Sequence, residues 1–304
     1  MTRLLRALTA AVLAAAALVA LDPSPSTAVA CPAWTKTPVA RGYGTLENLA
    51  FDGTGGMLLS ESSLAGTPGG LRRLAADGTR STVVPNVASP GGLVVDGRTV
   101  YFNSGNGFAS GLFNKPDGAI NAVDLDTGVV STVATGLVMP NGLIRLPGGD
   151  FVVSRDVLGA RATMTRVTPA GVATPFATAA TSTNGMAVDA ERGLLYVDST
   201  FDLGTVINVV DLAAPNAAPR KIKIPGLGPL NSADDLTRGA DGYLYVALNV
   251  AGQVVRVDPD SGAVCTIASG IPFVSSVRFG AGPGWDPAAL YATSFTGTVT
   301  RLTP

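Results

Sequence analysis

Apolar and polar positions alternate in short bursts along most of the chain, and the bursts return at nearly constant intervals. Related segments recur as Val39-Ala40-Arg41-Gly42-Tyr43, Val83-Val84-Pro85-Asn86-Val87, Val133-Ala134-Thr135-Gly136-Leu137 and Ile267-Ala268-Ser269-Gly270-Ile271. Eight residues beyond the first member of each stand Glu47, Gly91, Asn141 and Ser275. The same count from Phe176, in a degenerate copy, reaches Asn184, and a longer connection through Lys223-Ile224-Pro225-Gly226 reaches Asp234. Each of these positions is followed by an apolar strand, such as Leu49-Ala50-Phe51, Leu93-Val94-Val95 or Met186-Ala187-Val188. A Gly-containing turn and a second strand come next, as in Thr99–Phe102, Leu194–Val197 and Leu244–Ala247. Third strands close in matching turns, Val123-Asp124-Leu125-Asp126-Thr127-Gly128 and Val257-Asp258-Pro259-Asp260-Ser261-Gly262. There Asp caps the turn locally and Gly supplies the positive φ that a tight hairpin needs.

Six units spaced 44, 50, 43, 50 and 41 residues apart, with four short strands in each, predict an all-β fold, a six-bladed β-propeller. The last unit holds three strands, near Ser276–Gly280, Ala289–Ser294 and Gly297–Leu302, and its missing outer strand matches Thr37–Gly42. An N-terminal outer strand is therefore expected to complete the last blade, which hides a sheet edge and closes the ring.

The first residues follow another pattern. Arg3 and Arg6 precede an apolar run from Ala7 to Leu21, and a Pro/Ser-rich stretch leads to Ala28-Val29-Ala30. This reads as a secretory signal over residues 1–30, with the propeller domain over 31–304 and an exported product. The apolar run is shorter than the ~20 residues of a membrane helix. Cys31 and Cys265 are the two cysteines. A lipid anchor on Cys31 would prefer Leu where Ala28 stands. Two lone thiols in an oxidising compartment, placed on adjacent blades by the closure, point instead to a Cys31–Cys265 disulfide.

Composition narrows the chemistry. Of 304 residues 46% are hydrophobic and 14% charged, and the net charge is −1, too little for an electrostatic grip on nucleic acid or acidic lipid. There is no histidine, so a Ser-His-Asp triad, a His-bound zinc and an imidazole base are all excluded. Catalysis would fall to carboxylates, amides, hydroxyls, Lys, Arg or a hard cation.

The six repeat positions begin the innermost strands, which converge on one end of a propeller's channel. They read Glu47, Gly91, Asn141, Asn184, Asp234 and Ser275 around the ring, an all-oxygen set without Lys or Arg. Facing carboxylates are costly unless neutralised, and two of them with two amide carbonyls suit Ca²⁺ at Glu47, Asn141, Asn184 and Asp234, with Mg²⁺, Mn²⁺ or Zn²⁺ as other candidates. Taken singly, Asn-Gly and Asp-Asp are ordinary turn residues. It is their shared register that argues for a site. Ends of second strands add Asn103, Arg155, Asp156, Asp198 and Asn249, some of them facing substrate and others capping turns. Trp34 and Trp285 read as packing, Lys221 and Lys223 as solvent-facing, and Ser104-Gly105-Asn106-Gly107 as a flexible rim.

The repeat, with Thr183-Asn184-Gly185-Met186-Ala187-Val188-Asp189 and with Asp234 upstream of Asp241-Gly242-Tyr243-Leu244, resembles the senescence-marker-protein/gluconolactonase/regucalcin family of propeller lactonases and esterases. The resemblance implies divalent-metal ligands at Glu47, Asn184 and Asp234, a further Asn at Asn141, and Asp234 as base or nucleophile in lactone hydrolysis. The chain departs from it at Glu47-Asn48-Leu49, where Glu-Gly-Pro is usual, at Asp234-Asp235, where Asp-Gly is usual, and at Met139, which replaces a sugar-contacting Arg. Met139, Asn103, Arg155 and Asp198 become the substrate-facing candidates, and an apolar ester or lactone is favoured over a sugar-acid lactone. The expectation is a secreted, monomeric, metal-dependent hydrolase of a small lactone or ester. A calcium-stabilised binding propeller and a non-hydrolytic cyclase or condensing enzyme stand as alternatives, because fold alone does not choose among them.

Overall fold

The structure is a computed structural model that describes residues 31–62, 69–157 and 163–304; the expected signal segment lies outside these. Six four-stranded antiparallel sheets stand in a ring. Blade I runs from Thr45 to Val87, blade II from Leu93 to Leu137, blade III from Leu143 to Phe176, blade IV from Thr183 to Leu227 and blade V from Ala233 to Ser269. Blade VI takes three strands from Val274 to Thr303 and its outermost strand, Thr35–Ala40, from the other end of the chain. That strand pairs antiparallel with Thr298–Thr303, from Thr35 opposite Thr303 to Ala40 opposite Val299, so the expected closure is present.

The strands read as continuous apolar runs because both faces of each blade are covered. Along Leu244–Leu248, Leu244, Val246 and Leu248 pack toward blade IV, while Tyr245 and Ala247 pack toward blade VI. The period-2 alternation of a strand thus divides its side chains between two interfaces, both apolar. The core is accordingly six separate clusters, each shared by consecutive blades, with no single centre. At the blade I–VI seam Trp285 stacks against Phe51 and Tyr291, a packing role as expected. Trp34 likewise leans on Tyr245, and Lys221 and Lys223 are exposed.

Cys31 and Cys265 form a disulfide with 5.7 Å between their Cα atoms, tying the entry to blade VI onto the outer strand of blade V. Beside it the Trp34 amide donates to the Ile267 carbonyl at 2.7 Å. Such a bond belongs to an oxidising compartment. Among the described residues no helix is long and apolar enough to cross a membrane. Two short helices, α1 (Phe108–Leu112) and α2 (Gly228–Asn231), lie at the end of the ring where the innermost strands begin.

Candidate active site

Five of the six innermost strands, all but that of Glu47, are aimed by the same backbone device. Ser89, Met139, Ser182, Ser232 and Phe273 adopt φ between 42° and 52°, each two residues before a ring position. A left-handed conformation costs a non-glycine residue roughly 1–2 kcal/mol, so the surroundings must hold it. They do so repeatedly: the carbonyls of Ser89, Ser182, Ser232 and Phe273 accept amide N–H bonds from Asn106, Thr200, Asn249 and Phe295 at 2.8–3.0 Å. Immediately afterwards the strand pairing slips at Leu46/Leu49, Thr183/Met186, Ala233/Asp235 and Val274/Ser276. Glu47, Asn184, Asp234 and Ser275 fall inside these bulges. A bulge redirects a side chain out of the regular pleat, here into the channel mouth.

Glycine follows the ring position in three blades for steric reasons. A Cβ on Gly142 would lie 2.5 Å from the Asn184 carbonyl, and one on Gly185 would lie 2.4 Å from Asp235 Cα. The Asn-Gly pairs at 141–142 and 184–185 are therefore close-approach points between blades, and neither glycine has the positive φ of a turn.

Hydrogen bonds tie the side chains at the channel mouth into separate groups. Asn184 Nδ2 donates to Asp234 Oδ1 at 2.9 Å and to Thr200 Oγ1 at 3.2 Å, while Asn249 Nδ2 donates to Asp234 Oδ2 at 2.8 Å. Asn106 Nδ2 donates to Glu47 Oε1 at 3.1 Å. Asn141 hydrogen-bonds Asp156, whose charge acts on both Glu47 and Asp234. Burial pushes Glu47 up to about 8, with the Asp156 charge adding to it and the Asn106 bond opposing. Asp156 is raised by burial to about 6, against the pull of Asn141 and Arg155. Asp198 and Asp234 stand well above the usual carboxylate range, first from burial and then from neighbouring carboxyls. Asp235 is paired with Arg278, whose guanidinium meets it at 2.5 Å, and its charge still adds to the rise at Glu47, Asp198 and Asp234.

Of the four residues expected to hold a metal, Asn184 and Asp234 are hydrogen-bonded to each other, Glu47 is near enough for its charge to act on Asp234, and Asn141 is drawn in through Asp156. The substrate-facing candidates are placed as follows. Asp198 is fully buried, accepting the Gly185 amide at 2.9 Å with one carboxyl oxygen and leaving the other unpartnered. Asn103 is also fully buried, its amide spanning to the Asn141 and Gly142 carbonyls, which makes it a tie between blades II and III. Arg155 reaches away from the ring to the Gly111 carbonyl at 2.9 Å and to Asn114 Oδ1 at 3.1 Å. Met139 packs under α1, where a Cβ on Gly111 would meet its sulfur at 2.1 Å.

The expected flexible rim at residues 104–107 is instead an ordered support. Gly105 and Asn106 donate backbone N–H bonds to Ala88 and Ser89, and the Asn106 side chain steadies Glu47. Asp156, Asn249 and Thr200 are further members of the site. Asp156 and Asn249 stand at the second-strand ends already named as candidates, whereas Thr200 carries no such signal.

The donor set is chemically suited to a hard cation. Asp156 Oδ1 and Asp198 Oδ2 are buried oxygens without a hydrogen-bond partner, and the neighbouring ligand atoms are carboxylate and amide oxygens. Among the described residues no three His, Cys, Asp or Glu side chains converge as a ready-made cage. Amide oxygens of Asn141 and Asn184 would have to complete the shell.

Comparison with known proteins gives the fold a context. Residues 148–296 match the SMP-30/Gluconolactonase/LRE-like region. A gluconolactonase of Xanthomonas campestris superposes with a TM-score of 0.67 at 18% identity, over 89% of this chain and 89% of that one. A calcium structure of a Trichoderma reesei protein of Carbohydrate-Active Enzymes Family AA12 superposes at 0.65 with 14% identity, over 93% and 98%. Virginiamycin B lyase from Staphylococcus aureus does so at 0.58 with 11% identity, over 89% and 99%. No curated protein sequence matches. The structural likenesses speak to fold alone, whereas the sequence match is a family match, and the stretch from 148 to 296, which takes in most of blades III to VI, belongs to the SMP-30/gluconolactonase/LRE-like family.

Proposed function

We propose that the chain is an exported, monomeric hydrolase of lactones or related esters, its leader over residues 1–30 removed and its propeller domain beginning at Cys31. The observation that carries this reading is the gathering of three buried carboxyl groups, Asp156, Asp198 and Asp234, and the half-buried Glu47, with amides at the channel mouth. Buried carboxyls with raised pKa values mark functional sites more often than structural ones. The family match supports hydrolysis as the reaction class.

Glu47, Asn141, Asn184 and Asp234 would hold a divalent cation, best Ca²⁺, which when bound supplies a Lewis acid for the substrate carbonyl. Asp234 is the base. It takes a proton from the attacking water as the new C–O bond forms, and returns that proton to the alcohol oxygen as the ester bond breaks. Asn184 and Asn249 donate to its two oxygens at 2.9 and 2.8 Å, fixing the plane of the carboxylate for this transfer. Asn106 fixes Glu47 in the same way. Burial keeps bulk water from competing for the base during the transfer. With no histidine in the chain, no imidazole can share the role.

The test is a panel of lactones and aryl esters assayed with added calcium and again after chelation. Turnover that chelation abolishes supports the reading. A calcium-induced rise in stability with no turnover across the panel would favour a binding propeller.

A further inference from the structure

A cavity of about 400 Å³ opens beside the carboxyl cluster, walled by Phe108, Gly111 and Leu112 of α1, Val157, Phe201 and the Arg155 side chain. Its walls are chain neighbours of the site on three sides. Phe108 lies two residues beyond Asn106, which bonds Glu47; Arg155 and Val157 flank Asp156; Phe201 follows Thr200, which bonds Asn184.

Its walls are mostly apolar, in contrast to the carboxyl floor, with Arg155 and Asn114 as the polar members. Phe108 and Leu112 are 67% and 62% exposed. Large apolar side chains held out in water around one concavity mark a binding surface. The wall is also built with care. Arg155 grips the Gly111 carbonyl and Asn114, Met139 fills the space beneath Gly111, and Ser110 Oγ donates to Asp117 at 2.9 Å. Arg155 and Met139 thereby act as positioning residues that hold α1 in place.

We propose that this cavity receives the alkyl or aryl arm of the substrate, so that the ester or lactone carbonyl sits over Asp234 while an apolar chain lies against Phe108, Leu112 and Phe201. At about 30 Å³ per heavy atom the space holds on the order of ten such atoms, within the ordinary range for small-molecule pockets. This inference rests on the hydrolase reading for its carbonyl end and on the cavity alone for its apolar end.

The experiment is a series of γ-lactones whose alkyl substituent grows from methyl to octyl, assayed with the wild type, Leu112→Asp and Phe108→Ala. Both replaced side chains project into solvent, and circular dichroism would verify that the variants fold. In the wild type kcat/KM should rise roughly fourfold per added methylene, which is about 0.8 kcal/mol of burial converted at 1.36 kcal/mol per decade, until the cavity is full. In Leu112→Asp the ratio of long-chain to short-chain kcat/KM should collapse to near one. A separate titration uses 2-hexylcyclopentanone, which cannot be hydrolysed, and reads binding by calorimetry. Binding lost in Leu112→Asp supports the cavity even if no lactone is turned over, a result that would sink the hydrolase reading alone. Turnover with no dependence on chain length, together with no ketone binding, overturns the cavity and leaves the hydrolase standing. A dimer in sedimentation that is dispersed by Leu112→Asp would also overturn it, by showing that a second copy covers the face.

Discussion

Asp235 and Arg278 give the sharpest quantitative test of how the ring is held beside its site. Asp235 is 3% exposed and occupies the position at which blades II, III and IV carry Gly92, Gly142 and Gly185. Its carboxylate meets Arg278 through two guanidinium nitrogens, at 2.5 and 3.2 Å, and also accepts from Ser276 of the same neighbouring blade. Replacing Arg278 by Leu strands a buried carboxylate, and breaking a buried pair from one side costs about 3–5 kcal/mol. The Arg278 side chain is 23% exposed, so some water already reaches the pair and the lower end, about 3 kcal/mol, is expected. At roughly 2–4 °C per kcal/mol for domains of about this size, Tm should fall by about 6–12 °C.

The second arm removes the stranded charge. Asp235→Gly restores the residue that the other blades use, and the partly exposed Arg278 can then hydrate. The double variant should therefore be more stable than Arg278→Leu alone, with a coupling of about 2 kcal/mol in a double-mutant cycle. Urea melts of the four proteins at one pH, in chelator, supply the numbers. A loss below about 1 kcal/mol in Arg278→Leu, or two effects that simply add, would show that Asp235 is solvated and that the pair does not clamp blade V to blade VI.

Calcium at a hundredfold excess over its Kd should stabilise the wild type by roughly 2.7 kcal/mol and Glu47→Gln by much less; an equal rise in Tm would put the ion elsewhere. Asp234→Asn keeps one carbonyl ligand but loses the base, so kcat at saturating calcium should fall by about 10²–10⁴-fold. Near-wild-type kcat in a metal-loaded Asp234→Asn would reduce Asp234 to a ligand. Without metal, stability should decline as pH rises from about 4 toward 8, because carboxyls raised in the native state bind more protons there than in the unfolded chain. Asp156, raised from 3.8 to about 6, accounts for roughly 3 kcal/mol of that decline at about 1.4 kcal/mol per unit, lost across that interval, and a flat or rising Tm between pH 5 and 8 would contradict it.

What the sequence revealed and what it hid follow from the range of the forces involved. The ring positions were legible because every blade solves the same local problem, so the register that yields Glu47 also yields Asn184 and Asp234. The N-terminal strand was legible for a related reason, since the last repeat lacks one quarter of itself. Asn106 was not, because its role depends on Glu47, which lies 59 residues away in the chain, and a Gly-flanked Asn carries no mark of that partner. Asn-Gly at 184–185 suggested a turn, and only the position of Asp235 Cα explains why a side chain is forbidden there. The five-residue α1 left no periodic signal, being too short to show one and held by Arg155 and Met139 from outside itself.

The amides explain how a ring can carry so many carboxyls around one opening. Asn184 and Asn249 each turn an N–H toward Asp234, and Asn106 does the same for Glu47. A neutral donor lowers the cost of a buried carboxylate without cancelling its charge, so the cluster keeps its affinity for a cation. Lys or Arg at the same places would pair with the carboxyls directly, as Arg278 does with Asp235. Asn also offers an oxygen on the same side chain, so the residues that support the carboxyls in one orientation can join them as ligands in the other. Division of labour then follows from position. The floor is fixed by bulged inner strands locked between blades, where even a Cβ is excluded at Gly142 and Gly185. The walls hang from loops at the rim, where Phe108 and Leu112 stand in solvent and can be exchanged at little cost to the ring. On such a scaffold the reaction class is set by the floor and the choice of substrate by the walls.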